Sequence, residues 1–189
     1  MSCSIESERL LLAPVTLEHV RAFFQSRAAL GELLGAVVPG DWLVCPESME
    51  YLREKESELQ EAKGWAGYLF IHKGDRTVIG DGGFKSPPDT SGKVEAGYAI
   101  IPAHRRQGFA TKALKALLDW AFGHPAVTAV TAKTLPRAQE SMRVLEKLGT
   151  AYQGLVTNPR EGAVYLWELS REDYEKPPAP SENEGCPNS

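Results

Sequence analysis

The segment that most constrains this chain is residues 93–122, KVEAGYAIIPAHRRQGFATKALKALLDWAF. An apolar, strand-like run ends at Ile101, Pro102 stops it, a basic loop follows, and a helix is expected from about Gly108 to Phe122. Ala110, Ala113, Leu114, Leu117, Leu118 and Ala121 recur at the spacing that puts them on one side of that helix. The first turn of a helix leaves N–H groups unpaired, at the positive end of the helix dipole. An anion can satisfy them. Gly108 and Ala110 leave clearance for its close approach, Arg105, Arg106 and Lys112 add positive charge, and Thr111 adds a hydroxyl. The unit therefore reads as a pyrophosphate site. An ordinary loop with solvated arginines has the same composition, so the residues alone leave both readings open. Neither the P-loop pattern nor the G-x-G-x-x-G dinucleotide pattern occurs here.

The rest of the chain supplies one mixed α/β domain. Residues 5–13 read as a first strand, and Thr16 as the N-cap of a helix TLEHVRAFF. A short helix and loop follow from Ala28, and a second amphipathic helix runs from Ser48 to a stop at Gly64. WAGYLFIHK (65–73), TVIGDGGF (77–84) and KVEAGYAII (93–101), separated by turn residues, form an expected antiparallel meander. VTAVTAKT (127–134) is another strand. RAQESMRVLEKLG (137–149) is a helix with Met142, Leu145 and Leu148 inward, ended by Gly149. AYQGLVT and AVYLWEL close a hairpin around NPREG. The domain is expected to cover 1–175. Residues 176–189, rich in Pro, Ser, Glu and Asn, are expected to be disordered.

Composition narrows the function. A formal net charge of −4 argues against a nucleic-acid binder. No run approaches the roughly 18 apolar residues of a membrane span, and the N-terminus lacks a signal-peptide layout, so the cytoplasm is the expected location. Cys3, Cys45 and Cys186 are odd in number and far apart, which suits free thiols rather than a metal site.

The string RRQGFA at 105–110 fits [Q/R]-x-x-G-x-[G/A], the acyl-CoA signature of the GNAT acetyltransferases. ERLLLAPVT, EAGYAIIPAHRRQGFATKAL and SMRVLEKLG, in that order, resemble the RimJ/RimL-type branch, which acetylates ribosomal-protein N-termini. The resemblance spans most of residues 5–169. It implies a GNAT fold: a single mixed, mostly antiparallel sheet, splayed at the acyl-CoA site and flanked by helices. It further implies an acetyl-CoA-dependent N-acetyltransferase with no metal. The exposed backbone of Tyr98, Ala99, Ile100 and Ile101 would hold the pantetheine arm. The pyrophosphate would sit on the amides of Gln107, Gly108, Phe109, Ala110 and Thr111, beside Arg105 and Arg106.

Direct acyl transfer needs a neutral amine, an oriented thioester, a stabilised oxyanion and a proton for the leaving sulfur. Strand alternation puts Glu95, Gly97 and Ala99 on one face and Val94, Ala96 and Tyr98 on the other. Glu95 then looks across an open cleft and is the candidate base; a solvated glutamate is its alternative. Ser141 is the candidate donor to the leaving thiolate, although Ala138 stands where the family often has asparagine. Asp81 is a substrate-side candidate, and Trp42 a pocket or core residue. The acceptor stays open between a peptide N-terminus and a small amine. A homodimer is also left open, and so is a CoA-binding sensor or scaffold of the same fold that no longer catalyses.

Overall fold

The computed structural model describes residues 4–42 and 64–176. The strands are β1 (Ile5–Glu6), β2 (Leu10–Pro14), β3 (Gly67–His72), β4 (Thr77–Phe84), β5 (Lys93–Ile100), β6 (Ala129–Thr134), β7 (Ala151–Asn158) and β8 (Gly162–Ser170). The helices are α1 (Leu17–Gln25), α2 (Arg27–Leu34), α3 (Phe109–Phe122), α4 (Gln139–Lys147) and α5 (Arg171–Glu175). The strands form one eight-stranded sheet in the order β1-β2-β3-β4-β5-β6-β8-β7. Every neighbouring pair is antiparallel except β5 with β6. That parallel pair needs a crossover, and α3 provides it.

The expected elements form, with boundary differences that have local causes. The single strand expected at 5–13 is two, because the Ser7 hydroxyl accepts from the Leu10 amide and turns the chain between them. Thr16 caps α1 by accepting from the His19 amide, while His19 Nδ1 accepts from the Thr16 amide. β6 starts at Ala129 because Val127 is held in a turn to His124 and Thr128 bonds to Gly92. On α4 only Leu145 is fully buried; Met142 and Leu148 are partly covered. The helix expected at 48–64 and the tail beyond 176 lie outside the described residues.

Tyr68, Leu69, Phe70 and Ile71 of β3 are all buried. Successive strand residues point to opposite faces, so both faces of the sheet centre are covered. The α3 side is filled by Phe109, Ala113, Leu114, Leu117 and Ala121. Arg171 ties down the far end of α3, donating to the carbonyls of Phe122, His124 and Val127.

Two glycines on facing strands test how tightly β4 is built. Gly83 has φ +147, and a Cβ there would lie 2.1 Å from the Ala66 carbonyl oxygen. A Cβ on Gly97, its register partner, meets nothing within 4 Å. Gly83→Ala is therefore expected to cost about 2–3 kcal/mol. Gly97→Ala should stay within about 0.5 kcal/mol of wild type. Urea unfolding midpoints of the two variants check this contrast.

Candidate active site

The site begins where β5 leaves β6. Their parallel register runs from Lys93↔Ala129 to Ala96↔Ala132 and then stops. Beyond it β5 continues paired only to β4, from Gly97 to Ile100. β6 meanwhile follows β8, through Lys133↔Leu166 and Thr134↔Tyr165. A V opens between two strands that were neighbours, leaving one backbone edge of Gly97–Ile100 without a strand partner.

The basic loop closes the wide end of the V. Pro102–His104 form a 3-10 turn. Arg105 donates its Nε to the Ile100 carbonyl at 2.8 Å, pinning the loop to the end of β5. Arg106, at φ 60, and Gly108, at φ 80, turn the chain into α3. The first bond of the helix is Lys112 N–H to Gly108 O, at 3.0 Å. The N–H groups of Phe109, Ala110 and Thr111 therefore have no partner within the helix, and no side chain caps them. A Cβ on Gly108 would meet nothing within 4 Å, so the approach to these groups is open. Of the three cations expected here, only Arg106 is uncommitted. Arg105 is hooked to β5, and Lys112 pairs with Glu8 at 2.7 Å. This cradle of free amides and open space fits a pyrophosphate.

The two faces of the V differ in chemistry. On one, the Tyr98 hydroxyl donates to the Ser141 carbonyl at 3.1 Å, joining β5 to α4 across the opening. Burial pushes the Tyr98 phenol up to about 12, with the Ser141 bond acting the other way, so it stays protonated. The Ser141 hydroxyl itself has no hydrogen-bond partner among the described residues. Nearby, Thr134 accepts from Trp167 Nε1 at 3.0 Å. Ala138, the N-cap of α4, offers no side-chain bond, so the expected asparagine contact has no substitute at that position.

The other face carries Glu95, Gly97 and Ala99, as alternation requires. Glu95 is not free: Lys133 binds one carboxylate oxygen at 2.7 Å and Lys85 the other. Burial alone would raise the Glu95 carboxyl, but the hydrogen bonds and charges of Lys133 and Lys85 outweigh it and hold the group below its usual range. Neither lysine was legible as a partner, because each reaches Glu95 through strand register. Lys85 follows β4, its amide donating to the Glu95 carbonyl, and Lys133 stands two residues past Thr131, the partner of Glu95.

Asp81 presents the opposite case. It lies on β4 between Leu69 and Ala99 in register, on the same face as Glu95. No described residue gives it a hydrogen bond or ion pair, and burial pushes its carboxyl up to about 7. Trp42 is buried at 2% exposure with its ring edge-on to Phe23, a core position.

This architecture is that of an acyl-CoA transferase of the GNAT class. Residues 9–151 match the family described as acetyltransferase (GNAT) domain, and the chain belongs to that family. It is 30% identical over 148 residues to the uncharacterized N-acetyltransferase YjdG of Bacillus subtilis, covering 77% of this chain and 88% of that protein. Its fold resembles the ribosomal-protein-S5-alanine acetyltransferase of Vibrio fischeri at a TM-score of 0.65 and 16% identity, covering 92% of this chain and all (100%) of that one. It likewise resembles RimL, a ribosomal L7/L12 alpha-N-protein acetyltransferase solved with coenzyme A, at a TM-score of 0.66 and 17% identity, over 89% of this chain and 98% of that one. The protein is an acetyl-CoA-dependent N-acetyltransferase. Among the described residues no helix is long and apolar enough to cross a membrane, and no cluster of side chains suits a metal ion.

The Asp81 environment sets a pH signature for stability. Its carboxyl rises from 3.8 to about 7 on folding, so its favourable contribution is present at low pH and is lost as pH climbs through about 7. The ionised form then costs at most about 4 kcal/mol. Asp81→Asn is expected to melt above wild type at pH 9 and to lose that advantage by pH 4. Melting curves across this range check it.

Proposed function

We propose that this enzyme acetylates a primary amine that enters from the Asp81 and Glu95 face, by direct attack on the acetyl thioester. The observation that carries the reading is the parting of β5 from β6 directly beside the unpaired N-terminus of α3. The amides of Phe109, Ala110 and Thr111, with Gln107 and Gly108 before them, bind the pyrophosphate, and Arg106 adds charge. Ile101 is turned away, its amide donating to the Ile79 carbonyl, and the free edge of Tyr98–Ile100 pairs with the pantetheine arm. That leads the thioester into the V, where a backbone N–H near Ile100 faces the developing oxyanion. A carboxylate on the cleft face takes a proton from the incoming ammonium, and the neutral amine attacks. The Ser141 hydroxyl hydrogen-bonds the leaving sulfur as it becomes a thiolate.

The acceptor is a peptide N-terminus or a small amine. The structural likeness to the S5-alanine and L7/L12 enzymes supports the first. The open space at Gly97, where a Cβ would meet nothing within 4 Å, leaves room for the backbone of an extended acceptor. A sensor without catalysis is the weaker reading, because a hydroxyl and a carboxylate, Ser141 and Asp81, have no partner among the described residues.

Saturating acetyl-CoA is expected to stabilise the folded enzyme by about 2.7 kcal/mol at 100 times its dissociation constant, or about 5–10 °C in melting temperature for a domain of this size. Gly108→Glu should abolish that shift, since it places a carboxylate over the free amides. Gly108→Asn, which tolerates positive φ, should keep the shift and show that the turn still forms. Thiol release from acetyl-CoA in the presence of amines then checks transfer. No thermal shift at millimolar acetyl-CoA would overturn the reading.

A further inference from the structure

We propose that Asp81, not Glu95, is the group that takes the proton from the acceptor amine. The inference deepens the acyl-transfer reading above and rests on it. Both carboxylates lie on the cleft face, but among the described residues only Asp81 is without an ion pair. Each Glu95 oxygen is occupied by an ammonium group, Lys133 on one and Lys85 on the other. Both ammonium groups favour the ionised carboxylate, so Glu95 is the weaker base of the two.

Asp81 has no such ammonium partner among the described residues. Its register neighbours on the two adjoining strands are Leu69 and Ala99, and next to Leu69 on β2 is Ala13, all uncharged. Among the described residues, a charged cluster on this face is Lys85–Glu95–Lys133. It is four residues along β5 from Ala99, about 13 Å at strand rise, and its charges are already engaged with one another. On α1 and α2 stand Glu18, His19, Arg21, Arg27 and Glu32, and none makes an ion pair with Asp81. Ala99 and Gly97, beside it on β5, are small and exposed, so an amine can reach the carboxylate over the strand whose edge receives the thioester. The carboxyl, raised to about 7 by burial, is matched to a proton taken near neutral pH.

The proton balance is complete. Asp81 carboxylate removes one proton from R–NH3+, leaving R–NH2. The nitrogen lone pair forms the C–N bond at the acetyl carbonyl. Collapse of the tetrahedral species breaks C–S, and the electron pair goes to sulfur. The second nitrogen proton passes to that sulfur through the Ser141 hydroxyl. Asp81 returns its own proton to solvent, so one proton is released per turnover.

The test uses the full chain, acetyl-CoA, and two probes, the peptide Ser-Ala-Ala-Ala and spermidine, followed by thiol release from pH 5.5 to 9. Wild type is expected to show an acidic limb in kcat/KM near pH 7. Asp81→Asn should lose at least about 100-fold in kcat, lose that limb, and keep the thermal shift with acetyl-CoA. Asp81→Glu should recover part of the rate. Glu95→Gln should retain the limb. If Asp81→Asn acetylates a probe within threefold of wild type, or keeps the limb, this proposal falls and the transfer reading stands. If wild type binds acetyl-CoA but acetylates neither probe, the transfer reading fails and this proposal falls with it.

Discussion

The parting of β5 from β6 is the feature on which the rest of the site depends. A continuous sheet would consume every backbone N–H and C=O of Gly97–Ile100 in its own ladder. Here the parallel pairing lasts only through Ala96, and each strand then keeps its other neighbour, β5 with β4 and β6 with β8. The exposed edge is affordable because both strands remain anchored on their far sides. Tyr98, donating to the Ser141 carbonyl, ties the opening to α4.

The cleft face shows how two carboxylates on one sheet can differ in chemistry. Burial raises both. At Glu95 two lysines more than offset it, and the group is held as a carboxylate. At Asp81 no described residue offsets it, and the group rises to about 7. A one-residue register slip of β6 would move Lys133 to the opposite face and leave Glu95 with Lys85 alone. The acid–base character of the face is therefore set by strand register as much as by residue type.

The same loop that shapes the anion cradle also joins it to the sheet. Arg105 would serve as a phosphate ligand on composition alone, yet its Nε is committed to the Ile100 carbonyl. It acts on the cradle by fixing the distance between the end of β5 and the start of α3. Lys112 is similarly drawn away to Glu8. The start of α3 thus offers backbone amides and the open side of Gly108 more than side-chain charge.

Much of this was legible in the chain itself. The 3.6-residue stripe from Ala110 to Ala121, the alternation across Glu95–Ala99 and the turn chemistry at Thr16 and Gly108 are local properties, written in residues a few positions apart. They determined most of the described helices and strands and the faces of β5, and they pointed to the unpaired amides at the start of α3. The motif RRQGFA, with the blocks before and after it, was enough to reach the family. Tertiary structure alone decided which carboxylate is free. Lys85 and Lys133 meet Glu95 from 10 and 38 residues away in sequence, and Asp81 has no partner among the described residues. Ion pairing and desolvation depend on neighbours in space, and local sequence patterns carry no record of them.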